Sequence, residues 1–479
     1  MNATEPQLTS TRQLWRHIGE AVAAHVVMLS DVGLIDDDAT ATLLGAIDTV
    51  SGGEPPETSL AGLVADFDDR VDAQTPSGIA GTARVGRGTA DAVATALRLW
   101  LRDRVLDCGA ALDGARRAAL DLAAANVTTL MPAYVGGQPA QPTNLGHFLG
   151  GLIGPLGRSG ARLPAVYAEV NRSPLGAAAF ASSGMGIDRE RAAELLAFDG
   201  LAVNTLDAVS AADHLILAGE FAAGIATAIR RLIAELLTWL RTEPESFRLT
   251  EEWSVAAADL PQVRIPTRLD ALIARAREVE SSLAALRNAA NDLPYGPTAW
   301  SAEALLHPVQ AALDGCNALL TETTELLSTG LDVNRAYLAN RAGQNHTTTS
   351  DLADFLMIEE QLDPGTAQLI AARTTARIIA DGIETSGITP ELIDAAALIV
   401  LGREIKVEFE AISRYLAPRR FLERRIATGA PSPVATRAYL DQEFIRLGTD
   451  ERWRSVARQR LSDAADSLRQ IVGEAGSRV

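Results

Sequence analysis

The chain has 479 residues, of which 47% are hydrophobic and 22% charged, and its formal net charge is −18. This composition is that of a globular protein long enough for roughly two or three domains. Because nucleic-acid affinity depends on Lys and Arg that neutralise phosphates, so acidic a surface argues against nucleic acid as a partner. It also argues against an anionic membrane surface, although a few local arginines could still hold an anionic small substrate.

The two cysteines, Cys108 and Cys316, are too few for a disulfide framework, and both lie in helical patterns that predict buried packing. The N-terminus lacks the basic-then-apolar pattern of a signal peptide. The most apolar run, residues 214–240, contains Glu220 and two arginines, so no membrane span is expected. No metal cluster, phosphate-binding glycine loop or cofactor motif is visible in the sequence. A cytoplasmic protein without metal or cofactor is therefore the expectation.

Apolar residues recur at helical spacing along most of the chain and predict helices. In the N-terminal part we expect helices over 15–33, 36–50 and 89–127, with a Gly- and Pro-rich break over 51–59. The stretches MPAYVGGQPAQPTN (131–144) and SVAAADLPQVRIP (254–266) are predicted to be loops, and no segment predicts a strand.

The middle of the chain is expected to hold the longest helices, over 206–240, 269–290 and 302–328. Helices of this length can bury their apolar stripes only against each other or against other subunits. Further helical patterns and a charged terminal helix after residue 346 suggest a separate C-terminal helical domain. The predicted division is an N-terminal helical domain (1–95), a central long-helix domain (96–345) and a C-terminal helical domain (346–479).

Several quoted segments, in the same order, carry a family resemblance. MPAYVGGQPAQPTNLGHFL resembles a family segment reading MPGYTHLQRAQP…LGH, and VNRSPLGAAAFASSGMGIDRERAAELLAFDG resembles VNxSPLGAGALAGTxxxIDRxxxAxxLGFDG. TADAVATALRLWLRD, NTLDAVSAADHL and SDLADFLM match further segments. On these motifs, which span most of its length, the chain resembles argininosuccinate lyase of the aspartase/fumarase superfamily.

The resemblance implies an all-α, three-domain subunit with a central bundle of long helices. It also implies a homotetramer, formed by the packing of these bundles, with each active site built from segments of three subunits. The implied chemistry is β-elimination, in which a base removes the proton next to a carboxylate and an amine or alcohol leaves to give fumarate. Such a site needs a tuned base, donors aimed at the developing charge, and carboxylate clamps.

The segment that should supply the base departs from the family pattern. In the family, a loop reading GSSxMPxKxNP closes over the substrate and contributes a serine. Residues 256–266 of this chain take its place and keep the two prolines. Apolar side chains replace the two serines, the lysine and the asparagine, at Ala257, Ala258, Val263 and Ile265. An alanine cannot accept a proton and a valine cannot stabilise an aci-carboxylate.

Three other active-site segments depart in the same way. The family's Thr-His pair falls at Val135 and Gly136, and GRSRND becomes GRGTAD, with Gly88, Thr89 and Ala90 at the replaced positions. A later segment that carries Tyr, Gln and Lys in the family falls near Pro297, Ala302 and Leu305. The joint loss argues against ordinary argininosuccinate cleavage.

The candidate catalytic residues are two polar residues of the segment that replaces the base-bearing loop, Asp259 and Arg264. Asp259 directly follows the alanines, and a carboxylate enclosed in a dry pocket acquires a pKa nearer neutrality, as a general base requires. Arg264 could orient a substrate but is a poor base. Each also has a structural interpretation, as a solvated loop residue. The candidate substrate-binding residues are Arg87, Thr89, Gln138, Gln141, Asn144, Ser173, Tyr295 and Trp300. Among these, Gln141 and Ser173 equally suit structural roles.

Two functions remain open on this basis. One is a diverged enzyme with altered elimination, addition or cyclisation chemistry on a less polar substrate, in secondary metabolism, with a small ligand held between subunits. Tyr295 and Trp300 could stack on a ring in such a ligand. The alternative is a catalytically inactive homologue that acts as a binding or scaffold protein.

Overall fold

A computed structural model describes residues 5–476, and it is built almost entirely of helices. The helices are α1 (Glu5–Asp31), α2 (Asp37–Ser51), α3 (Leu60–Ala73), α4 (Thr89–Ala124), α5 (Leu145–Val170), α6 (Arg189–Leu195), α7 (Thr205–Ser210), α8 (Asp213–Thr242), α9 (Thr267–Asn291), α10 (Ala302–Glu325), α11 (Arg335–Arg341), α12 (Ser350–Ile358), α13 (Pro364–Ala380), α14 (Pro390–Leu401), α15 (Phe409–Tyr415), α16 (Pro418–Glu423) and α17 (Pro433–Gly476). The short strands are β1 (Leu130–Val135), β2 (Gln138–Asn144), β3 (Phe247–Leu249), β4 (Val255–Ala257), β5 (Leu260–Ile265) and β6 (Leu331–Val333).

Five helices, α4, α5, α8, α9 and α10, pack against one another as a bundle. The apolar stripe of α8 shows why, since Ile225, Ile229 and Ile233 are completely buried along it. Burying such side chains is the main driving force for the assembly, at about 25 cal/mol for each Å² removed from water. The expected all-α class with a central long-helix bundle is confirmed.

The helix lengths correct one expectation. The longest described helices are α4, with 36 residues, and α17, with 44, rather than those in the middle of the chain. The terminal helix extends far upstream of its charged segment because it packs back along α4, α5 and α2. Helix α5 was not predicted, because six glycines and two internal prolines disguise its pattern.

The expectation that no segment forms a strand is wrong, because three antiparallel two-stranded sheets are present in the described residues. In the first, β1 pairs with β2 and the turn is formed by Gly136 and Gly137, whose φ angles are +58° and +76°. Two central residues with positive φ are the requirement of a tight type I′ hairpin turn, and Gly-Gly meets it. The stretch 254–266, expected to be a loop, forms the hairpin β4–β5, and β3 pairs with β6.

Two large hydrophobic cores are present in the described residues, beside a small third cluster of Leu106, Tyr167 and Ala457. The larger core includes the bundle, the N-terminal helices and leucines of α17, whereas the smaller core extends from Leu352 to Leu416. The second core therefore begins close to the predicted boundary at residue 346, and α17 then returns to the first core. The division into 1–95, 96–345 and 346–479 stays a prediction.

Cys108 and Cys316 are free and completely buried, with their Sγ atoms 3.4 Å apart between α4 and α10, so their predicted packing role is confirmed. Within residues 5–476, no helix combines the length and the apolar character that crossing a bilayer would require.

Candidate active site

The start of α4 is joined to the loop of residues 173–180 by one buried carboxylate. Asp91 Oδ1 accepts a hydrogen bond from the backbone N–H of Gly88 at 2.8 Å. Its Oδ2 accepts from the backbone N–H groups of Gly176 and Ala178, both at 2.9 Å. Burial raises the pKa of Asp91 to about 6, although the three hydrogen bonds and Arg87 act in the opposite direction. We call this arrangement of Gly88, Asp91 and residues 173–180 the α4 junction.

The α4 junction is closely packed at residue 88. A Cβ on Gly88 would lie 3.0 Å from the carbonyl carbon of Ala178 and 3.2 Å from the backbone nitrogen of Ala179. Ala178 itself has a φ of +54°, a conformation that costs an alanine free energy and is here held by Asp91. The serine that the resemblance places at this position would therefore require the backbone at residues 178 and 179 to shift by a few tenths of an ångström.

Three predicted substrate-binding residues have their polar groups bonded inside the subunit. Arg87 is buried, and its Nη2 lies 2.5 Å from Asp68 Oδ1. Asn144 caps α5, accepting from the backbone N–H of His147 at 2.7 Å. Ser173 is completely buried, and its Oγ accepts from the backbone N–H of Leu175 at 3.3 Å. These contacts give all three residues structural roles, and their contact with a substrate stays a prediction. Thr89 is half-buried as the first residue of α4.

The hairpin β1–β2 presents the positions where the family carries Thr-His. At its tip Val135 is 73% exposed and Gln138 is exposed beside the two turn glycines. Next to the tip, the hydroxyl of Tyr134 donates to Glu243 Oε1 at 2.9 Å. Burial and this hydrogen bond raise the pKa of Tyr134 above its ordinary value. On the outgoing strand, the Nε2 of Gln141 donates to Ser350 Oγ at 3.1 Å.

The hairpin β4–β5 presents both candidate catalytic residues to solvent. Ala258 and Asp259 form its two-residue tip, and Asp259 is exposed. Arg264 is also exposed, and its Nε donates to the Oγ of buried Ser254 at 3.2 Å. The hairpin exposes four apolar side chains as well, those of Val255, Leu260, Val263 and Ile265.

In the segment after α9, two of the residues singled out from the sequence are exposed and two are buried. Tyr295 is 79% exposed and Trp300 is 68% exposed, so both aromatic rings are available to a ligand or a partner. Ala302 and Leu305, near the family's Gln and Lys positions, are instead buried in the bundle at the start of α10.

The length of α4 decides which segments a single subunit can bring together. At 1.5 Å per residue its 36 residues extend about 54 Å. The α4 junction lies at one end of this helix, and the hairpin β1–β2 follows the other end. A site that contains both segments therefore needs more than one subunit.

Comparison with known proteins decides the family. A family model described as lyase matches residues 70–279. The argininosuccinate lyase of Natronomonas pharaonis is 32% identical over 461 residues, which cover 94% of this chain and 89% of that protein. The argininosuccinate lyase of Methanoculleus marisnigri is 31% identical over 93% of this chain and 90% of its own. The chain belongs to the argininosuccinate lyase family.

Solved structures agree with this membership in the argininosuccinate lyase family. The structure of EDDS lyase in complex with formate has a TM-score of 0.87 and 27% identity, covering 98% of this chain and 93% of that one. The 3-carboxy-cis,cis-muconate lactonizing enzyme from Pseudomonas putida has a TM-score of 0.68 and 18% identity, covering 92% and 96%, and shows the shared fold. The aspartase/fumarase-type fold expected from the motifs is confirmed.

The close packing around Gly88 could not be predicted from the sequence. The motif GRGTAD has glycine where the family motif has serine, but nothing in the sequence indicated that residues 178 and 179 pack against this glycine. The link through Asp91 joins positions 85 and 87 residues apart and has no local sequence pattern.

Proposed function

We propose that this chain is a diverged lyase-family enzyme with altered elimination, addition or cyclisation chemistry on a substrate other than argininosuccinate. The observation that supports the proposal is the α4 junction, where glycine stands at the position of the family's serine and backbone packs closely against it at Gly88. A substrate that needed hydrogen bonds from this position would lose them, whereas a less polar substrate would not. Secondary metabolism in the cytoplasm is the proposed setting.

The proposed site lies in a cleft between subunits of a homotetramer. The separation of about 54 Å along α4 supports this arrangement, because one subunit cannot close a site around both ends of a helix. The four exposed apolar side chains on β4–β5 support it too, since apolar surface of this kind is typical of contacts with a partner or ligand.

Within that cleft we propose Asp259 as the general base and Arg264 as the group that orients an anionic part of the substrate. Both lie on the hairpin that replaces the family's base-bearing loop, and the carboxylate of Asp259 is exposed at its tip. Thr89, Gln138, Tyr295 and Trp300 are the proposed substrate contacts, because each leaves a side chain accessible. Two aromatic rings and the exposed Val135 favour a substrate with a flat apolar part.

The solved EDDS lyase structures support a change of substrate. One of them is a variant with bound fumarate, at 27% identity and a TM-score of 0.86. Addition of an amine to fumarate is the reverse of the elimination expected from the family, so fumarate is the first co-substrate to test here.

The experiment follows fumarate absorbance while the protein is incubated with fumarate and a panel of aliphatic and aromatic amines. We expect fumarate consumption with at least one amine of the panel, falling at least about a hundredfold in Asp259→Asn, because general-base catalysis contributes a factor of that order or more. Asp37→Asn, at an exposed position in α2, is the matched control and should retain full activity. Equal rates in wild type and Asp259→Asn would refute the role of Asp259.

The alternative is a non-catalytic homologue that acts as a binding or scaffold protein. The closure at Gly88 also favours it, because a site under no chemical demand can lose both side chains and volume. Absence of fumarate consumption or production with every substrate, in a protein that still forms a tetramer, would favour this alternative over the enzyme.

A further inference from the structure

A cleft of about 710 Å³ lies beside α5, and its lining includes neither the tip residues of the two hairpins nor the α4 junction. We call it the α5 cleft, and it is lined by Ala133, Gln141, Pro142, Thr143, His147, Phe148, Gly150, Gly151, Leu152, Gly154, Arg158, Phe421, Arg425, Gly429, Pro431 and Tyr439. Its walls come from the base of the hairpin β1–β2, the first half of α5, and the α16–α17 segment. A volume of this size is typical of small-molecule sites.

The charge of the α5 cleft is opposite to that of the chain. The protein carries a net charge of −18, yet the cleft is lined by Arg158 and Arg425 and by no carboxylate. Arg425 is held in place by Asp351, with Nη2 2.5 Å from Oδ1. Arg158 has no hydrogen-bond or ion-pair partner among residues 5–476, so its guanidinium remains available to a ligand. Guanidinium groups bind carboxylates through paired hydrogen bonds.

Two other polar side chains of the cleft are already hydrogen-bonded within the subunit. The Nδ1 of His147 lies 2.9 Å from Thr143 Oγ1, and its Nε2 lies 3.2 Å from the carbonyl oxygen of Gly429. The hydroxyl of Tyr439 donates to the carbonyl of Gly150 at 3.1 Å. Apolar surface comes from Phe148, Leu152, Phe421 and two prolines. The cleft therefore combines the guanidinium of Arg158, which has no hydrogen-bond or ion-pair partner among the described residues, with an apolar wall.

The glycines of α5 give independent support. A Cβ on Gly146, Gly150 or Gly160 would approach a neighbouring atom within 3.0 Å, so packing explains these glycines. Gly151 differs, because a Cβ there would meet nothing within 4 Å. A glycine inside a helix lowers stability by about 1 kcal/mol relative to alanine. At residue 151 no close packing contact within the subunit requires a glycine. What Gly151 provides is open volume in the cleft that it lines.

We propose that the α5 cleft binds a small aryl carboxylate, with its carboxylate on Arg158 and its ring against Phe148, Leu152 and Phe421. The site would be distinct from the proposed lyase site, because the proposed base, the orienting arginine and the proposed substrate contacts of that site do not line the cleft, although the predicted substrate-binding residue Gln141 does.

Calorimetric titration of the full chain with benzoate, inorganic phosphate and benzyl alcohol tests the proposal. Benzoate should bind, whereas phosphate, which lacks the ring, and benzyl alcohol, which lacks the charge, should each bind at least about tenfold more weakly. Arg158→Met should weaken benzoate binding at least about tenfold. Arg162→Met, one turn further along α5 and outside the cleft, should leave it unchanged.

A second pair of variants separates binding from subunit contact. Gly151→Leu should fill the cleft and abolish benzoate binding, while Gly151→Ala should leave most of the volume and most of the affinity. Both should keep the oligomeric state of the wild type, measured by light scattering. The proposal fails if benzoate does not bind, if phosphate binds as tightly, or if Arg162→Met weakens benzoate as much as Arg158→Met. It also fails if Gly151→Leu dissociates the oligomer without affecting benzoate binding.

Discussion

The α4 junction and the hairpin β4–β5 both correspond to active-site segments of the family, and they have diverged in opposite ways. At the junction, the buried carboxylate of Asp91 accepts hydrogen bonds from three backbone N–H groups, and backbone packs closely beside Gly88. On the hairpin, Asp259 and Arg264 are exposed and little is packed around them. One segment is therefore closely packed and the other is exposed. The exposed segment presents two charged side chains, those of Asp259 and Arg264, to solvent.

The largest expected effect is at the junction. Asp91→Ala should lower the free energy of unfolding by about 3 kcal/mol or more, because it leaves three backbone donors buried without an acceptor. Urea denaturation measures the difference, with Asp37→Ala in the exposed first turn of α2 as the control, expected to cost well under about 1 kcal/mol. Equal losses in the two variants would show that Asp91 does not hold the loop.

Two glycine substitutions compare the packing of the junction with that of a hairpin tip. Gly88→Ala should destabilise by about 1 to 3 kcal/mol, because its Cβ collides with the backbone at Ala178. Gly136→Ala should cost about 1 kcal/mol, since its positive φ is strained but nothing lies within 4 Å of the added atom. Thermal denaturation in parallel gives the order, and a larger loss at Gly136 would contradict the closed junction.

Acidification should also affect the region around the junction more than the hairpin. His25 is buried with its Nε2 2.8 Å from the carbonyl oxygen of Val85, and burial, with Arg87, lowers its pKa to about 4. The unfolded chain binds a proton near pH 6.5, so this contribution to stability is present above pH 6.5 and is lost as pH falls toward 4. The loss should be about 2 kcal/mol at pH 5.

The matched variant for this pH effect is His25→Gln, which removes the titrating ring. Asp91 acts with the opposite sign, because its pKa is raised to about 6 and its contribution to stability is lost as pH rises through that value. We therefore expect unfolding free energies to fall more between pH 7 and pH 5 in the wild type than in His25→Gln. The same dependence in both proteins would mean that His25 is not buried in its neutral form.

The smallest expected effect is on the hairpin. Arg264→Ala should change the free energy of unfolding by less than about 0.5 kcal/mol, because the side chain is exposed and has one neutral hydrogen-bond partner. A loss comparable to that of Asp91→Ala, measured by urea denaturation, would mean that Arg264 serves the fold rather than a ligand.

The sequence allowed much of the fold to be predicted, for physical reasons that the two regions illustrate. The buried isoleucines of α8 recur at helical spacing, and such periodic patterns can be recognised locally. Helix α5 could not, because its glycines are set by contacts with Tyr439 and Arg116, which are distant in sequence. The hairpin β1–β2 was not predicted because glycines are typical of loops, whereas the positive φ angles of Gly136 and Gly137 make a tight turn between its strands. The hairpin β4–β5 turns at Ala258 and Asp259, a pair that is not a typical hairpin turn signal.

The candidate site was less predictable. The motifs indicated which side chains had been replaced, and the structure added what occupies the space, as at Gly88. Arg87, Asn144 and Ser173 showed no sequence pattern that distinguished internal hydrogen bonding from ligand contact, because their partners, such as Asp68, are set by tertiary packing. A site divided among subunits is also beyond any local pattern, since it depends on how copies of the chain assemble.

The most direct test of the account is the ability of the wild-type protein to cleave argininosuccinate, followed by the absorbance of fumarate. The account predicts no fumarate production above the uncatalysed background, because the positions of the base and the stabilising lysine carry Ala257, Ala258 and Val263. Turnover at ordinary enzyme rates, on the order of 1 per second or faster, would contradict it, and loss of that turnover in Asp259→Asn would show that Asp259 supports the family's original reaction.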